Sequence, residues 1–381
     1  MAELIALATG GTGGHVFPAE ALAAELINRG YRLALVTDRR GDAFGGTLDT
    51  IDRHTISAAA VSGRGLGGRI DAAIKLFIGF LQARKLLNRL QPKAIVGFGG
   101  YPSVPTMLAA GRMRGIKSVI HEQNAVLGRA NRLLAPRMDR IATSFESVAE
   151  LRPQDQPKTV WTGNPVRTEI AALAGTAYPT PSEDGPFSIL IVGGSQGARI
   201  FGEVVPRAIS QLPEQYRSKL KIVQQARAEQ VEDVKNLYKD FGIEAQVQSF
   251  FDDIPDKLKN AHLVICRAGA STMAELTAVG RPAILVPYQH AIDDHQAANA
   301  ACLSDAAGGW MIPEKDLTAE SLSSRLTELL SRPRTLTAAA QAAARIGMPE
   351  AAARLADLVT SLVDSNGTGG ELNSSNRRAA A

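Results

Sequence analysis

One pattern occurs twice in this chain and restricts its fold more than any other feature. A short apolar run leads into clustered glycines and then into a stretch of helical spacing. It appears first at 4–8, Gly10-Gly11-Thr12-Gly13-Gly14-His15 and 18–28, and again at 188–192, Gly193-Gly194-Ser195-Gln196-Gly197-Ala198 and onward from Arg199. Apolar runs this short are buried strands rather than helices, and glycines between strand and helix let backbone N–H groups approach an anion. Two such units predict two parallel sheets, each carrying its own ligand loop.

Further buried strands are expected at 33–36, 94–98, 118–120, 140–142 and 160–162 in the first half. In the second half they are expected at 220–224, 247–250, 263–266 and 283–286. Between them lie helical or loop segments, the alternation of a doubly wound α/β sheet covered on both faces. A stretch rich in Pro, Thr, Ser and Gly at 174–186 reads as a linker or surface loop. The predicted class is therefore α/β, with two tandem Rossmann-like doubly wound domains facing a cleft. The expected divisions are 1–163, 164–345, a helix within 346–364 that packs back on the first domain, and a disordered tail at 365–381. Ligands of open parallel sheets bind beyond the carboxyl ends of the strands, so both glycine loops would border that cleft.

Charge is distributed unevenly. Residues 1–163 carry 21 Lys and Arg against 13 Asp and Glu, and the remainder 21 against 25. A basic first half suits an anionic lipid, a pyrophosphate or a nucleic acid, and charge alone does not choose among them. Two cysteines, Cys266 and Cys302, are too few for a disulfide framework. The start MAELIALATGG lacks the pattern of a signal peptide, which reads as a cytoplasmic protein. No run reaches the length of a membrane span.

Within the first glycine loop, His15 is placed to take a proton from a reacting hydroxyl, or else to hold the loop by a backbone hydrogen bond. Gly97-Phe98-Gly99-Gly100-Tyr101-Pro102-Ser103 is a second glycine loop on the same sheet, and this duplication favours a ligand with a diphosphate. The polar run His121-Glu122-Gln123-Asn124 offers donors and acceptors for sugar hydroxyls, or a capped helix start. In the second half, Cys266 to Thr272 ends a strand and opens a helix with Glu275 one turn in. That is an anion site beside a carboxylate, or an ordinary capped helix. Pro287 to His290, and Gln296 with Asn299, add amides suited to a sugar. Asp38 stands where a ribose-binding acid would, which keeps a dinucleotide oxidoreductase open. Against that, Gly11-x-Gly13 puts Val16 at the third glycine position of the fingerprint. Neither a D-x-D pair nor a Walker loop is present, so the expectation is a reaction without metal, and not a nucleoside triphosphatase.

The segment 67–90 has two apolar faces. Ala73, Leu76, Phe80, Ala83, Leu87 and Leu90 make a core stripe. Ile70, Ile74, Phe77, Ile78 and Leu81 make a second face, and seven basic residues lie between Arg64 and Lys93 against the single acid Asp71. An apolar patch edged by cations suits the surface of an anionic membrane, or else a protein contact.

In order along the chain, GGTGGHVFPA, GFGGYPSVP, HEQNAVLGRAN, GNPVR, GGSQGA, FFDDI, CRAGASTMAELTAVGRPAILVPY and DDHQAAN span most of 4–312. This ordered set resembles the MurG family, glycosyltransferase family 28. Its members add N-acetylglucosamine from UDP-N-acetylglucosamine to undecaprenyl-pyrophosphoryl-N-acetylmuramoyl-pentapeptide (lipid I), giving lipid II for peptidoglycan. The resemblance implies a GT-B fold and an inverting transfer to the C4 hydroxyl of the muramic sugar, with His15 as catalytic base. Donor contacts would fall on Thr12, Gly13, Gly14, Asn124, Arg167, Ser195, Phe251, Ala270, Ser271, Thr272, Met273, Ala274, Glu275 and Gln296. The acceptor would meet Gly99, Gly100 and Tyr101, and Ile70, Ile74, Phe77, Ile78 and Leu81 would form the membrane patch. Phe251 stands where relatives often carry an aliphatic residue, and His295 where some carry a second glutamine. The implied setting is peripheral, on the cytoplasmic face of the inner membrane, with anionic lipid and other cell-wall and division proteins as partners. Neither nucleic acid, cofactor nor metal is implied. The rival readings are a UDP-N-acetylglucosamine epimerase of the same fold, the oxidoreductase, and a non-catalytic membrane scaffold.

Overall fold

The computed structural model describes residues 2–10, 13–38, 46–58, 66–182, 185–194 and 197–364, with the side chains of 66–72 left out. Thr12, Ser195 and the tail from 365 lie outside the described residues, as does the side chain of Ile70.

The first sheet holds seven parallel strands: β1 (Leu4–Ala8), β2 (Arg32–Thr37), β3 (Asp52–Thr55), β4 (Ala94–Gly97), β5 (Lys117–Glu122), β6 (Arg140–Thr143) and β7 (Thr159–Trp161). Their order is β3-β2-β1-β4-β5-β6-β7. The second sheet holds β8 (Phe187–Val192), β9 (Leu220–Gln225), β10 (Ala245–Gln248), β11 (Leu263–Cys266), β12 (Ala283–Leu285) and β13 (Gly309–Met311), also parallel, in the order β10-β9-β8-β11-β12-β13. Winding reverses between β1 and β4 in one sheet and between β8 and β11 in the other. At such switch points the loops leaving the strand ends diverge and open a crevice. The four glycine-bearing loops of the sequence leave those four strands.

Each sheet is buried on both faces. Ile5 and Leu7 of β1 join one apolar cluster while Ala6 and Ala8 join the cluster on the opposite face. In β8, Ile189 and Ile191 face one way and Leu190 the other. The helix Ala351–Asp364 contributes Leu355, Ala356, Val359 and Val363 to the core of the first sheet, not the second. It is tied there by Arg29, whose guanidinium lies 2.6 Å from Asp357 Oδ1. The chain thus crosses between the halves twice, and the crossings touch. A Cβ on Gly163, which has φ 79°, would come within 2.8 Å of Met348 Sδ.

Several elements differ from the sequence reading. The first helix begins at Gly13 rather than 18, so the glycines open the helix and His15 lies in its first turn. Edge strands β3 and β13 fall outside the sequence expectation: Asp-Arg-His-Thr carries no apolar run, since an edge strand is not enclosed on both faces, and Gly-Trp-Met is only three residues long. β10 lies at Ala245–Gln248, two residues before the expected 247–250. In the helix Leu66–Leu90, Ala83 and Leu87 are fully buried and Leu76 and Phe80 half-buried, but Ala73 is exposed.

Candidate active site

The site is assembled at the first sheet's switch point. The loop after β4 puts Gly99 and Gly100 at φ 80° and 71°, a left-handed pair that side-chain-bearing residues adopt at a cost. This turn brings the backbone against His15. A Cβ on Gly100 would lie 3.4 Å from the ring's Cδ2, and one on Gly99 3.5 Å from Cε1. The Thr9 hydroxyl donates to the His15 carbonyl at 3.0 Å, tying the first helical turn to the end of β1. His15 Nδ1 lies 3.2 Å from Gln123 Oε1. Burial lowers the imidazole's pKa, opposed by Glu122, Gln123 and the Phe98 backbone. That direction favours the neutral ring, the form a general base requires.

Behind it, His121 and Glu122 end β5 and Gln123 follows, all three almost fully buried. The Glu122 carboxylate accepts four hydrogen bonds. Oε1 takes the Asn124 N–H at 3.0 Å and its side-chain amide at 3.2 Å, and Oε2 takes the Gly128 N–H and the Asn131 amide, both at 2.8 Å. The run read as sugar contacts thus works mostly inward, shaping the loop 123–131. That loop, His15, Gly99 to Tyr101, and Ile292, Asp293 and His295 from the second half line a cavity of about 250 Å³. This is below the ~300–1,000 Å³ of whole-ligand sites, so it accommodates part of a ligand.

Burial pushes the His121 imidazole down to about 4. A histidine held neutral in the folded state and charged in the unfolded one stabilises nothing above pH ~6.5; its cost grows as pH falls from there to about 4, reaching roughly 3 kcal/mol. Measured by denaturant, the stability advantage of the wild type over His121→Gln should shrink by about that much between pH 7 and pH 4. An unchanged difference would contradict a neutral buried His121.

Polar contacts join the two halves around the cavity. Asn299 Oδ1 accepts the Ala125 N–H at 2.8 Å, and its amide nitrogen donates to Asn124 Oδ1 at 3.1 Å and to the Ala268 carbonyl at 3.0 Å. Asp293, one of two consecutive non-glycine residues in the left-handed region, pairs with Arg129 at 3.0 Å and with Arg132. Arg167 donates to Glu275 Oε1 from Nε at 3.1 Å and from Nη2 at 2.8 Å, and its guanidinium lies over the Phe17 ring, 5.0 Å from the centroid. Both bonds fall on one carboxylate oxygen, leaving Oε2 for another donor. Burial raises the Glu275 carboxyl's pKa and Arg167 opposes the shift.

On the second sheet, Gly269 caps the helix Ala270–Val279 in extended conformation and, as a glycine, adds no side-chain cap. Among the described residues the buried Ser271 Oγ has no hydrogen-bond partner. Ala270, Thr272, Ala274 and Glu275 are half-buried and Met273 is buried. This helix packs against Gly13–Asn28, which brings Gly13, Gly14 and His15 to the same cleft. The Gln296 side chain accepts the Tyr288 N–H at 3.0 Å. Phe251 is 5% exposed under the Lys257 ammonium while Phe250 is 68% exposed, so any ligand contact at Phe251 runs through its backbone. Ile74, Phe77, Ile78 and Leu81 are all exposed, Phe77 by 62%. Asn131, Arg129, Arg132 and Asp293 emerge as structural parts of the site to which the sequence reading gives no role, while Glu122, Gln123 and Asn299, read there as sugar contacts, bond inward or across the halves. Their signal was the density of polar residues in HEQNAVLGRAN and DDHQAAN.

Two family models match the chain, the glycosyltransferase family 28 N-terminal domain over 5–143 and the C-terminal domain over 188–355. The chain belongs to glycosyltransferase family 28. A relative from Paramagnetospirillum magneticum, named UDP-N-acetylglucosamine–N-acetylmuramyl-(pentapeptide) pyrophosphoryl-undecaprenol N-acetylglucosamine transferase, is 53% identical over 360 residues, 94% of this chain and 97% of its own. The crystal structure of Acinetobacter baumannii MurG superposes with a TM-score of 0.77 at 31% identity, over 94% of this chain and 99% of that one. A putative UDP-N-acetylglucosamine 2-epimerase from Listeria monocytogenes has a TM-score of 0.65 at 14% identity, over 97% and 98% of the two chains, and shares the fold alone. The first family 28 match holds the His15 loop and the first half's lining of the cavity, and the second holds Ile292, Asp293 and His295 of that lining, the helix Ala270–Val279 and the Asn299 contacts.

Proposed function

We propose that this enzyme transfers N-acetylglucosamine from UDP-N-acetylglucosamine to the C4 hydroxyl of the muramic sugar in undecaprenyl-pyrophosphoryl-N-acetylmuramoyl-pentapeptide, with inversion, forming lipid II. The observation that carries this reading is a histidine at the first sheet's switch point, bonded at Nδ1 to Gln123 and lining a cavity to which the second half adds Ile292, Asp293 and His295. His15 Nε2 takes the C4 proton as that oxygen attacks the anomeric carbon, and the bond to UDP breaks on the opposite face. Residues 1–163 serve the acceptor, with Gly99, Gly100 and Tyr101 beside it, and 164–345 serve the donor; 346–364 straps the halves together.

The leaving diphosphate meets the helix N-terminus at Ala270, Ser271 and Thr272, where the unpartnered Ser271 hydroxyl is an available donor. Glu275 Oε2 receives the ribose hydroxyls while Arg167 holds Oε1. Thr12, Gly13, Gly14, Asn124, Ser195, Phe251, Met273, Ala274 and Gln296 complete the donor site, on the strength of the family motifs. UDP release that rises on adding lipid acceptor supports transfer; release independent of acceptor contradicts it.

Ile74, Phe77, Ile78 and Leu81, with Ile70, dock the first half on the cytoplasmic face of the inner membrane, where the acceptor lipid resides. Among the described residues no helix is long and apolar enough to cross a membrane. Arg84, Lys85, Arg89 and Lys93 favour anionic headgroups. In this setting the product feeds wall growth, and through it cell shape and division, alongside other proteins of that machinery. Phe77→Glu should weaken sedimentation with anionic phospholipid vesicles by about 10- to 100-fold, from the ~1.5–3 kcal/mol of a buried aromatic side chain. Binding equal to the wild type would rule out this patch.

A further inference from the structure

The hydrogen bonds around Gln123 form a chain with one consistent placement of protons. It begins at a crossing between the halves, where the Gly163 carbonyl faces His121 Nε2 at 3.0 Å. A carbonyl only accepts, so His121 Nε2 carries the hydrogen, and in the neutral ring Nδ1 is left as an acceptor. That Nδ1 lies 3.0 Å from the amide nitrogen of Gln123. The same nitrogen lies 3.0 Å from the Phe98 carbonyl and 3.1 Å from the His121 carbonyl. Three acceptors around one nitrogen fix the orientation of the amide. Its oxygen is therefore the atom facing His15 Nδ1. An amide oxygen accepts, so His15 Nδ1 donates and His15 Nε2 retains its lone pair.

We propose that Gln123, itself oriented by His121 and the Gly163 carbonyl, is a positioning residue that sets the tautomer of His15 and so makes Nε2 the nitrogen that receives the acceptor's proton. This rests on the reading of His15 as the base. A histidine whose second nitrogen faces only water holds both tautomers, and one of them has no lone pair at the reacting position. The relay removes that loss without placing a charge on Nδ1, as a carboxylate there would. The ring's pKa then stays low enough for a neutral base. The titratable groups acting on His15 are Glu122, which favours the imidazolium, and His295, which opposes it.

Nitrogen-15 NMR of the histidine rings, near neutral pH, reads the tautomer directly. The wild type should show His15 protonated at Nδ1 and bare at Nε2. Gln123→Leu should give a mixture, with kcat lowered about 10- to 1,000-fold and the KM for UDP-N-acetylglucosamine changed by less than about threefold. Gln123→Glu keeps an acceptor toward Nδ1 and should regain part of kcat, with the acid limb of its pH profile moved upward because a carboxylate favours the imidazolium. A wild-type ring protonated at Nε2 overturns the proposal. So does a leucine variant with unchanged tautomer and kcat, and if that variant does not fold, the wild-type spectrum alone decides. His15→Ala separates this from the underlying reading. Near-normal turnover without His15 removes the base itself, whereas loss of turnover in His15→Ala beside a wild-type-like Gln123→Leu removes only the relay.

Discussion

Replacing His15 by alanine lowers kcat by about 10²–10⁴-fold, the usual contribution of a positioned general base, while the affinity for UDP-N-acetylglucosamine changes little. The split follows from the architecture. His15 belongs to the first sheet's switch point, against Gly99, Gly100 and Gln123. The groups proposed for the nucleotide lie mostly on the other half, at the helix Ala270–Val279 and the Arg167 to Glu275 pair. Loss of the imidazole removes an interaction made as the proton moves, and leaves donor binding in place. Single-turnover kinetics with saturating donor and lipid acceptor measures this. Near-normal turnover would eliminate His15 as base.

Glu122→Ala should have the largest effect on folding, destabilising the protein by about 3–5 kcal/mol in denaturant titrations near neutral pH. Its carboxylate is 2% exposed and accepts from two backbone N–H groups and two side-chain amides. Alanine takes the acceptor from the part-buried Asn124 and Gly128 N–H groups and from the buried Asn131 amide, and frees the loop that frames the cavity. Glu122→Gln retains the shape but turns an NH₂ group toward donors, so an intermediate loss is expected. It also removes a negative charge that favours the His15 imidazolium, so the acid limb of the pH profile should move down. A Glu122→Ala protein as stable as the wild type would show that these four bonds contribute nothing.

How much of this was legible in the sequence follows from what each segment buries. Central strands such as β1, β4, β8 and β11 are enclosed on both faces, so they appear as apolar runs and could be read directly. β3, with Asp-Arg-His-Thr, lies at a sheet edge and carries no such run, and β13, with Gly-Trp-Met, is an edge strand of only three residues. β10 alternates Ala-Gln-Val-Gln, which left its bounds two residues off. At the site, glycine loops and His15 announced themselves because their residue types have few other uses. Glu122 and Gln123 did not, since a polar run after a strand looks the same whether it faces a ligand or turns inward. Only the sheet's register decides that Glu122, at the end of β5, and Gln123, just after it, are buried. Asn299 was quoted as a sugar contact, and its side chain instead spans the halves, a pairing across 175 residues that no local pattern contains.

The central claim is transfer of a sugar from the nucleotide to a lipid acceptor in this cleft. Incubation of the full chain with radiolabelled UDP-N-acetylglucosamine and an undecaprenyl-pyrophosphoryl-N-acetylmuramoyl-pentapeptide acceptor in vesicles tests it most directly. Label is expected in the organic-extractable lipid as a β1→4-linked disaccharide, with equimolar UDP, and neither without acceptor. Label retained in the nucleotide sugar as an epimer, or UDP released at the same rate without lipid, would contradict it.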